Sequence, residues 1–132
     1  MADNNLKYLN TINIVASAKS GALQVIHERF GGDWERAWHA DLAKYIPRER
    51  DVEGKLVTPD YAKLQKRISP DKEWVKLAAC GIGLITIMDE DYPELLRHIP
   101  DPPFLLYIRG NRGAWSSQCF GVVGTRALSE YG

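Results

Sequence analysis

A glycine-centred turn near the end of the chain carries the residues of this sequence that are best suited to chemistry. Gly124 follows the apolar run 120–123, and Thr125 and Arg126 come directly after it. A glycine lets a phosphate approach the backbone without a Cβ in its way, and an arginine can donate two parallel hydrogen bonds to phosphate oxygens. Ser129 adds a hydroxyl where we expect a helix to begin, and helix N-termini present unpaired N–H groups to anions. The turn is therefore predicted to hold a phosphate.

Other signatures of nucleotide or catalytic chemistry are missing from the sequence. The spacing of Gly121 and Gly124 is not the dinucleotide-binding fingerprint, and there is no P-loop motif. His27, His39 and His98 fall in separate segments, which indicates packing or surface roles for them. No cofactor and no metal are expected. One structural alternative stays open for the turn, a tight bend that carries a solvated surface charge.

Composition limits the classes of partner. The 132 residues include 17 Lys+Arg and 17 Asp+Glu, a formal net charge of zero, so any attraction for nucleic acid must come from a local patch. No apolar run is long enough for a membrane span and no signal peptide is evident, so we expect a cytoplasmic protein with no membrane partner. Cys80 and Cys119 lie far apart and are predicted to be small buried hydrophobes.

The elements that must position this turn begin with helices. Three helical faces are predicted to share a small core, formed by Leu6, Leu9 and Ile12, by Leu23, Ile26 and Phe30, and by Trp34, Ala37, Trp38 and Leu42. Gly31-Gly32 supplies a break, and Asp33 is placed to cap the next helix. Trp34, Trp38 and Trp74 have helical core spacing and are predicted to pack, whereas Trp115 is predicted to be exposed.

Proline and serine punctuate the middle of the chain. Residues 47–55 form a charged connection, and Thr58-Pro59 offers a cap for a helix that runs to Ile68. Ser69-Pro70 repeats this chemistry and begins a helix that Gly81 can end. The helical region is therefore expected to finish near residue 81.

Short apolar runs then replace the helical pattern, at residues 84–88, 104–108 and 120–123. They are predicted to be strands buried on both faces of a parallel sheet, with a short helix over 92–96 between the first two. In such a sheet the turn after 120–123 lies at the carboxyl end of a strand, where ligands bind. Asp89, Glu90 and Asp91 are interpreted as a solvated acidic loop.

Five blocks, 79–86, 91–96, 99–103, 106–111 and 121–126, resemble in order the DNA-processing protein A family (DprA, also called Smf). The resemblance implies an α/β protein. A small helical domain, similar to SAM or helix-hairpin-helix modules, would cover residues 1–72. The first part of a Rossmann-like parallel sheet, truncated, would cover 73–132. It also implies a non-enzymatic protein without a cofactor that binds single-stranded DNA and loads a RecA-type recombinase during natural transformation.

The resemblance also names site residues. The family's phosphate-holding turn matches this chain at Gly124, Thr125, Arg126, Ser129, Tyr131 and Gly132. Arg109 and Arg112 are further candidates for DNA contact, because they add positive charge to the last segment. Where the family often has a Pro-Gly-Ile-Gly-like hairpin, residues 16–19 lack the glycines, so the helical domain is expected to act as a scaffold or protein contact.

The chain ends where a helix should follow the third strand, so we expect it to be the N-terminal part of a longer family member. The recombinase-contact surface and a homodimer interface would then belong to the missing part. Two alternatives remain. One is an enzyme of related fold, such as a nucleotide phosphoribohydrolase, whose turn holds a nucleotide phosphate. The other is a protein-interaction module that folds but has no DNA affinity of its own.

Overall fold

The computed structural model of the protein describes residues 3–17, 19, 21–127 and 129–130. Its helices are α1 (Asp3–Val15), α2 (Ala22–Phe30), α3 (Trp34–Trp38), α4 (Tyr61–Arg67), α5 (Pro70–Ala79) and α6 (Glu94–Arg97). Its strands are β1 (Glu49–Arg50), β2 (Leu56–Val57), β3 (Ile82–Thr86) and β4 (Leu105–Arg109). Short 3-10 helices cover Leu42–Lys44 and Arg112–Ser116. The predicted α/β class is confirmed as a mixture of helices and small antiparallel sheets, although β1 and β2 interrupt the region that was expected to be helical. None of the described helices has the length and apolarity to cross a bilayer.

Side-chain caps set the starts of α3, α4 and α5, and the sequence predicted two of these three cap residues. The Asp33 carboxylate accepts a hydrogen bond from the backbone N–H of Arg36 at 3.0 Å, which caps α3. Ser69 caps α5 in the same way. The predicted cap of α4, Thr58, is wrong, because Asp60 accepts from the backbone N–H of Lys63 at 3.0 Å and the helix starts one residue after it.

The helices enclose one apolar core. Its fully buried side chains include Leu9, Ile12, Ile26, Trp34 and Leu42. The tryptophan predictions hold for this core, since Trp38 is also buried and Trp74 packs against the cluster while partly exposed. Burying side chains of this size contributes about 2 kcal/mol each to folding.

The first two predicted strands pair with each other, and their direction corrects the predicted parallel sheet. β3 and β4 are antiparallel, with Leu84 opposite Tyr107 and Thr86 opposite Leu105. A parallel pair needs a crossover of a dozen or more residues, usually a full helix. The connection over residues 87–104 contains α6, a helix of four residues, which is too short to run back along the strands as a crossover helix does. β4 is also not buried on both faces, because its residues alternate between more and less exposed positions.

The hairpin of β3 and β4 is fixed to the helices by contacts of its second strand. The Tyr107 hydroxyl donates a hydrogen bond to Oδ1 of Asn10 at 2.7 Å and accepts one from Nδ2 of Asn13 at 3.0 Å. Phe104 packs against the rings of His27 and Trp34, with centroid separations of 5.3 and 5.6 Å. Helices and hairpin therefore share their buried core. The division into domains at residues 72 and 73, which falls within α5, stays a prediction, as do the SAM-like and Rossmann-like descriptions.

The third predicted strand does not form. Residues 120–123 make no strand pairing within the described chain, and the side chains of Phe120, Val122 and Val123 are 89%, 96% and 98% exposed. The expected burial of this run is therefore wrong here, because no described element lies over it.

Other expectations also need correction. Both cysteines are exposed, not buried: Cys80 ends α5, and Cys119 lies in the loop after the second 3-10 helix. The charged connection over 47–55 forms part of a hairpin of β1 and β2. Its turn is closed by the Asp51 carboxylate, which accepts from the backbone N–H groups of Glu53 and Lys55 at 3.0 and 2.9 Å.

Candidate functional site

The predicted phosphate turn is fully accessible. Gly124, Thr125 and Arg126 are all exposed, and a Cβ built on Gly124 would meet no atom within 4 Å. Thr125 Oγ1 accepts a hydrogen bond from the backbone N–H of Ala127 at 3.3 Å, which gives the turn its local shape. Among the described residues the Arg126 guanidinium has no hydrogen bond or ion pair. Its donors are therefore available to an external anion.

The helix predicted to follow the turn is not found among the described residues. Ser129 is exposed and lies in a loop, Glu130 lies in a turn, and no described helix includes either residue. The expected helix N-terminus therefore does not form within the described part of the chain. Tyr131 and Gly132, which the family resemblance adds to the motif, lie outside the described residues.

Arg109 is the last residue of β4 and is exposed. It lies opposite Ile82 in the register of the hairpin, and Gly110 turns the chain directly after it with a φ of +101°. A left-handed φ of this kind favours glycine. Arg109 therefore projects from the end of the hairpin, free of hydrogen bonds and ion pairs to the described residues.

Arg112 is held by the protein itself. Its Nη1 donates to Asp91 Oδ2 at 3.5 Å and its Nη2 donates to the Leu84 carbonyl at 3.4 Å. The absence of a side chain at Gly83 makes room for this position, since a Cβ there would lie 2.5 Å from Arg112 Nη2. The three arginines thus have different surroundings: Arg109 and Arg126 are available to solvent, and Arg112 is partly engaged.

The loop between β3 and α6 is ordered by contacts that the sequence analysis missed. Asp89 Oδ2 accepts from the Thr86 backbone N–H at 2.6 Å and from the Thr86 hydroxyl at 2.7 Å. Arg97 donates to the carbonyl oxygens of Ile87 and Asp89, and its guanidinium lies 5.0 Å from the centroid of the Tyr92 ring. Asp89 is therefore a structural residue of this loop and not part of a solvated acidic group. The threonine-to-aspartate spacing of three residues was the available signal.

Tyr92 completes this loop. Its hydroxyl donates to the Pro103 carbonyl at 2.6 Å, which ties the start of the connection to its end. Burial raises the pKa of Tyr92, and the positive charge of Arg97 opposes part of that rise. The neutral hydroxyl therefore persists as a donor at physiological pH.

Charge is distributed favourably for an anion over the last segment. Residues 109–130 contain the acidic residue Glu130 and the arginines Arg109, Arg112 and Arg126. Trp115 in the same segment is half-buried, which differs from its predicted exposure, and Phe120 is 89% exposed. A chain segment with basic and aromatic side chains and little negative charge is suited to contact with a nucleic-acid strand.

The fold and this segment define a small α/β protein in which a helical layer supports an antiparallel hairpin, followed by an exposed arginine-bearing turn. Residues 83–132 match the family model of DNA recombination-mediator protein A. Over this part of the chain, which is less than half of it, the match confirms the resemblance to the DprA family that the sequence blocks predicted, and it covers β3 from Gly83 onward, α6, β4 and the turn. No match was found among curated proteins or among solved structures.

Proposed function

We propose that this chain acts in a single-stranded DNA-binding recombination mediator, and that Gly124, Thr125 and Arg126 hold DNA phosphates with help from Ser129. The observation that carries the proposal is the family match over residues 83–132, which includes this turn. Arg126 is exposed and unengaged among the described residues, as a phosphate-binding arginine should be before its ligand arrives.

A single strand is the form of DNA that the surroundings favour. Duplex binding relies on a broad basic face, and this chain has a formal net charge of zero. A few arginines that share a short segment with the aromatic residues Trp115 and Phe120 instead suit a flexible strand, whose phosphates and bases can be contacted separately. Arg109, at the exposed end of β4, would extend the contact beyond the turn.

The family's wider role belongs to the same proposal. In it, the protein acts in the cytoplasm during natural transformation, needs no cofactor, catalyses no reaction, and passes the strand to a RecA-type recombinase. A recombinase contact and a homodimer interface belong to this proposed role. The helical part would support the hairpin, since the Asn10 and Asn13 amides already hold Tyr107 in place. It would also contact partner proteins.

The test is binding of the 132-residue chain to a fluorescent oligothymidine strand, measured by anisotropy at low and moderate salt with duplex DNA as competitor. Arg126→Ala should weaken binding about fivefold or more and should reduce the slope of log K against log salt by about 0.7, the value for one lost phosphate contact. Arg48→Ala is the matched control, because Arg48 is also exposed but lies outside the family match. Equal losses in the two variants would contradict the proposed site.

A protein-interaction module remains a second candidate, and the exposed apolar run favours it. Phe120, Val122 and Val123 leave nearly their whole side chains in water, a state that a covering partner would relieve. If circular dichroism shows a folded chain and no strand binds at any salt concentration, this second function is the better description.

A further inference from the structure

A cavity lies beside the contacts of Arg112, and none of the residues of the proposed phosphate turn lines it. Its volume is about 370 Å³, and its lining includes Glu90, Asp91, Glu94, Arg112 and Trp115. These residues come from the loop before α6, from α6 itself and from the second 3-10 helix. The volume lies within the range of small-molecule sites.

The charges of this cavity argue against a phosphate as its occupant. The lining contains three carboxylates, those of Glu90, Asp91 and Glu94, and one guanidinium, that of Arg112; the Glu94 carboxylate also lies 3.5 Å from Nε of Arg97, outside the lining. A phosphate would be repelled by the excess negative charge. A metal ion is not indicated either, because the described residues contain no group of three His, Cys, Asp or Glu side chains arranged to hold one.

A nucleobase fits the same lining. Trp115 is half-buried and offers an indole ring on which a flat heterocycle can stack. Asp91 Oδ2 and Arg112 Nη1 lie 3.5 Å apart, and both side chains are about half exposed, so an acceptor and a donor stand next to each other at the opening. That pair matches an exocyclic amino group beside a ring nitrogen or carbonyl acceptor.

We propose that this cavity is a base-binding subsite for single-stranded DNA, which accepts an unpaired base that carries an amino group, such as cytosine, in preference to thymine. Cytosine presents its N4 amino hydrogens to Asp91 and its N3 and O2 acceptors to Arg112. Thymine carries a carbonyl oxygen where cytosine has the amino group, so it has one hydrogen, on N3, to offer the Asp91 carboxylate in place of the two amino hydrogens of cytosine. The inference rests on the proposed function, since it needs a strand held nearby.

The position of Arg112 supports a recognition role. The guanidinium is already oriented by the Leu84 carbonyl, and the missing side chain at Gly83 leaves space for it against β3. A donor held in place loses less freedom when a base arrives. An exposed ion pair of this type contributes little to stability, so opening it to admit a base costs little.

The experiment compares oligocytidine and oligothymidine strands of equal length at pH 8, by anisotropy, with the full 132-residue chain. The wild type should bind the cytidine strand about fivefold more tightly, which corresponds to about one hydrogen bond. Asp91→Asn should abolish this preference, because the amide can present a donor to either base. Glu53→Gln, at an exposed carboxylate of the β1–β2 turn, should leave the preference unchanged.

Trp115→Ala should weaken both strands and Trp115→Phe should restore most of the loss, since stacking does not depend on the amino group. Thermal melts of each variant identify any loss of folding. If both strands bind equally, or if the preference survives in Asp91→Asn, the subsite is overturned while the proposed function stands. If the folded chain binds neither strand, both proposals are overturned.

Discussion

The hydroxyl of Tyr107 lies 2.7 Å from Oδ1 of Asn10, a residue 97 positions earlier in the chain. This bond joins β4 to α1, and Asn10 is itself 1% exposed. A buried amide oxygen without a donor is costly, so the tyrosine hydroxyl satisfies a polar group that water does not reach. The hairpin that carries the family sequence is thus held directly by the first helix.

Removing the Tyr107 hydroxyl should weaken the contact between β4 and α1. Tyr107→Phe leaves the Asn10 oxygen without this donor and should lower the free energy of unfolding by about 1–2 kcal/mol, measured by urea denaturation. Tyr45→Phe is the control, because the Tyr45 ring packs edge-on against Phe30 at 5.2 Å and its hydroxyl has no hydrogen bond among the described residues. Equal stability of wild type and Tyr107→Phe would show that the bond contributes nothing.

Alkaline pH should weaken the same contact between β4 and α1. Burial raises the pKa of Tyr107 above its ordinary value of 10.0, so the folded state favours the neutral phenol. The stabilisation is complete below pH 10 and is lost as the pH rises through the raised pKa of the folded state. Urea midpoints measured from pH 8 to 11 should fall less steeply in Tyr107→Phe than in wild type. Identical pH profiles would contradict this assignment.

The β3–α6 loop should depend on one carboxylate. Asp89→Ala removes acceptors from both the backbone N–H and the hydroxyl of Thr86 and should cost about 2 kcal/mol of stability. Glu90→Ala, one residue away and exposed, should change stability by less than about 0.5 kcal/mol. Chemical denaturation of the two variants side by side gives the comparison. A larger loss in Glu90→Ala would reverse the roles assigned to the two residues.

Helical elements were predictable from the sequence because each signal in them is local. Apolar spacing set the faces of α1 and α2, and a single side chain, Asp33 or Ser69, set the start of a helix. The cap of α4 was misplaced because Thr58 and Asp60 are both acceptable cap residues, and only the backbone geometry decides between them.

The pairing of the strands could not be predicted in the same way. Short apolar runs look alike in parallel and antiparallel sheets, and the direction of β3 and β4 follows from the connection that joins them. Burial of Cys80, Cys119 and residues 120–123 was expected from their apolar character, but burial also needs an element to cover them. For the site, the family blocks located the turn, while the contacts of Arg112 depend on residues distant in sequence.

The ring of Trp34 is 0% exposed and lies 5.6 Å from Phe104, so its fluorescence depends on the contact between the helices and the hairpin. Indole emission depends on the polarity around the ring. Any event that draws the hairpin away from the helices would admit water to this ring and shift its fluorescence to longer wavelength. The fluorescence of a variant that keeps Trp34 as its sole tryptophan would therefore report movement of the hairpin relative to the helices without an attached dye.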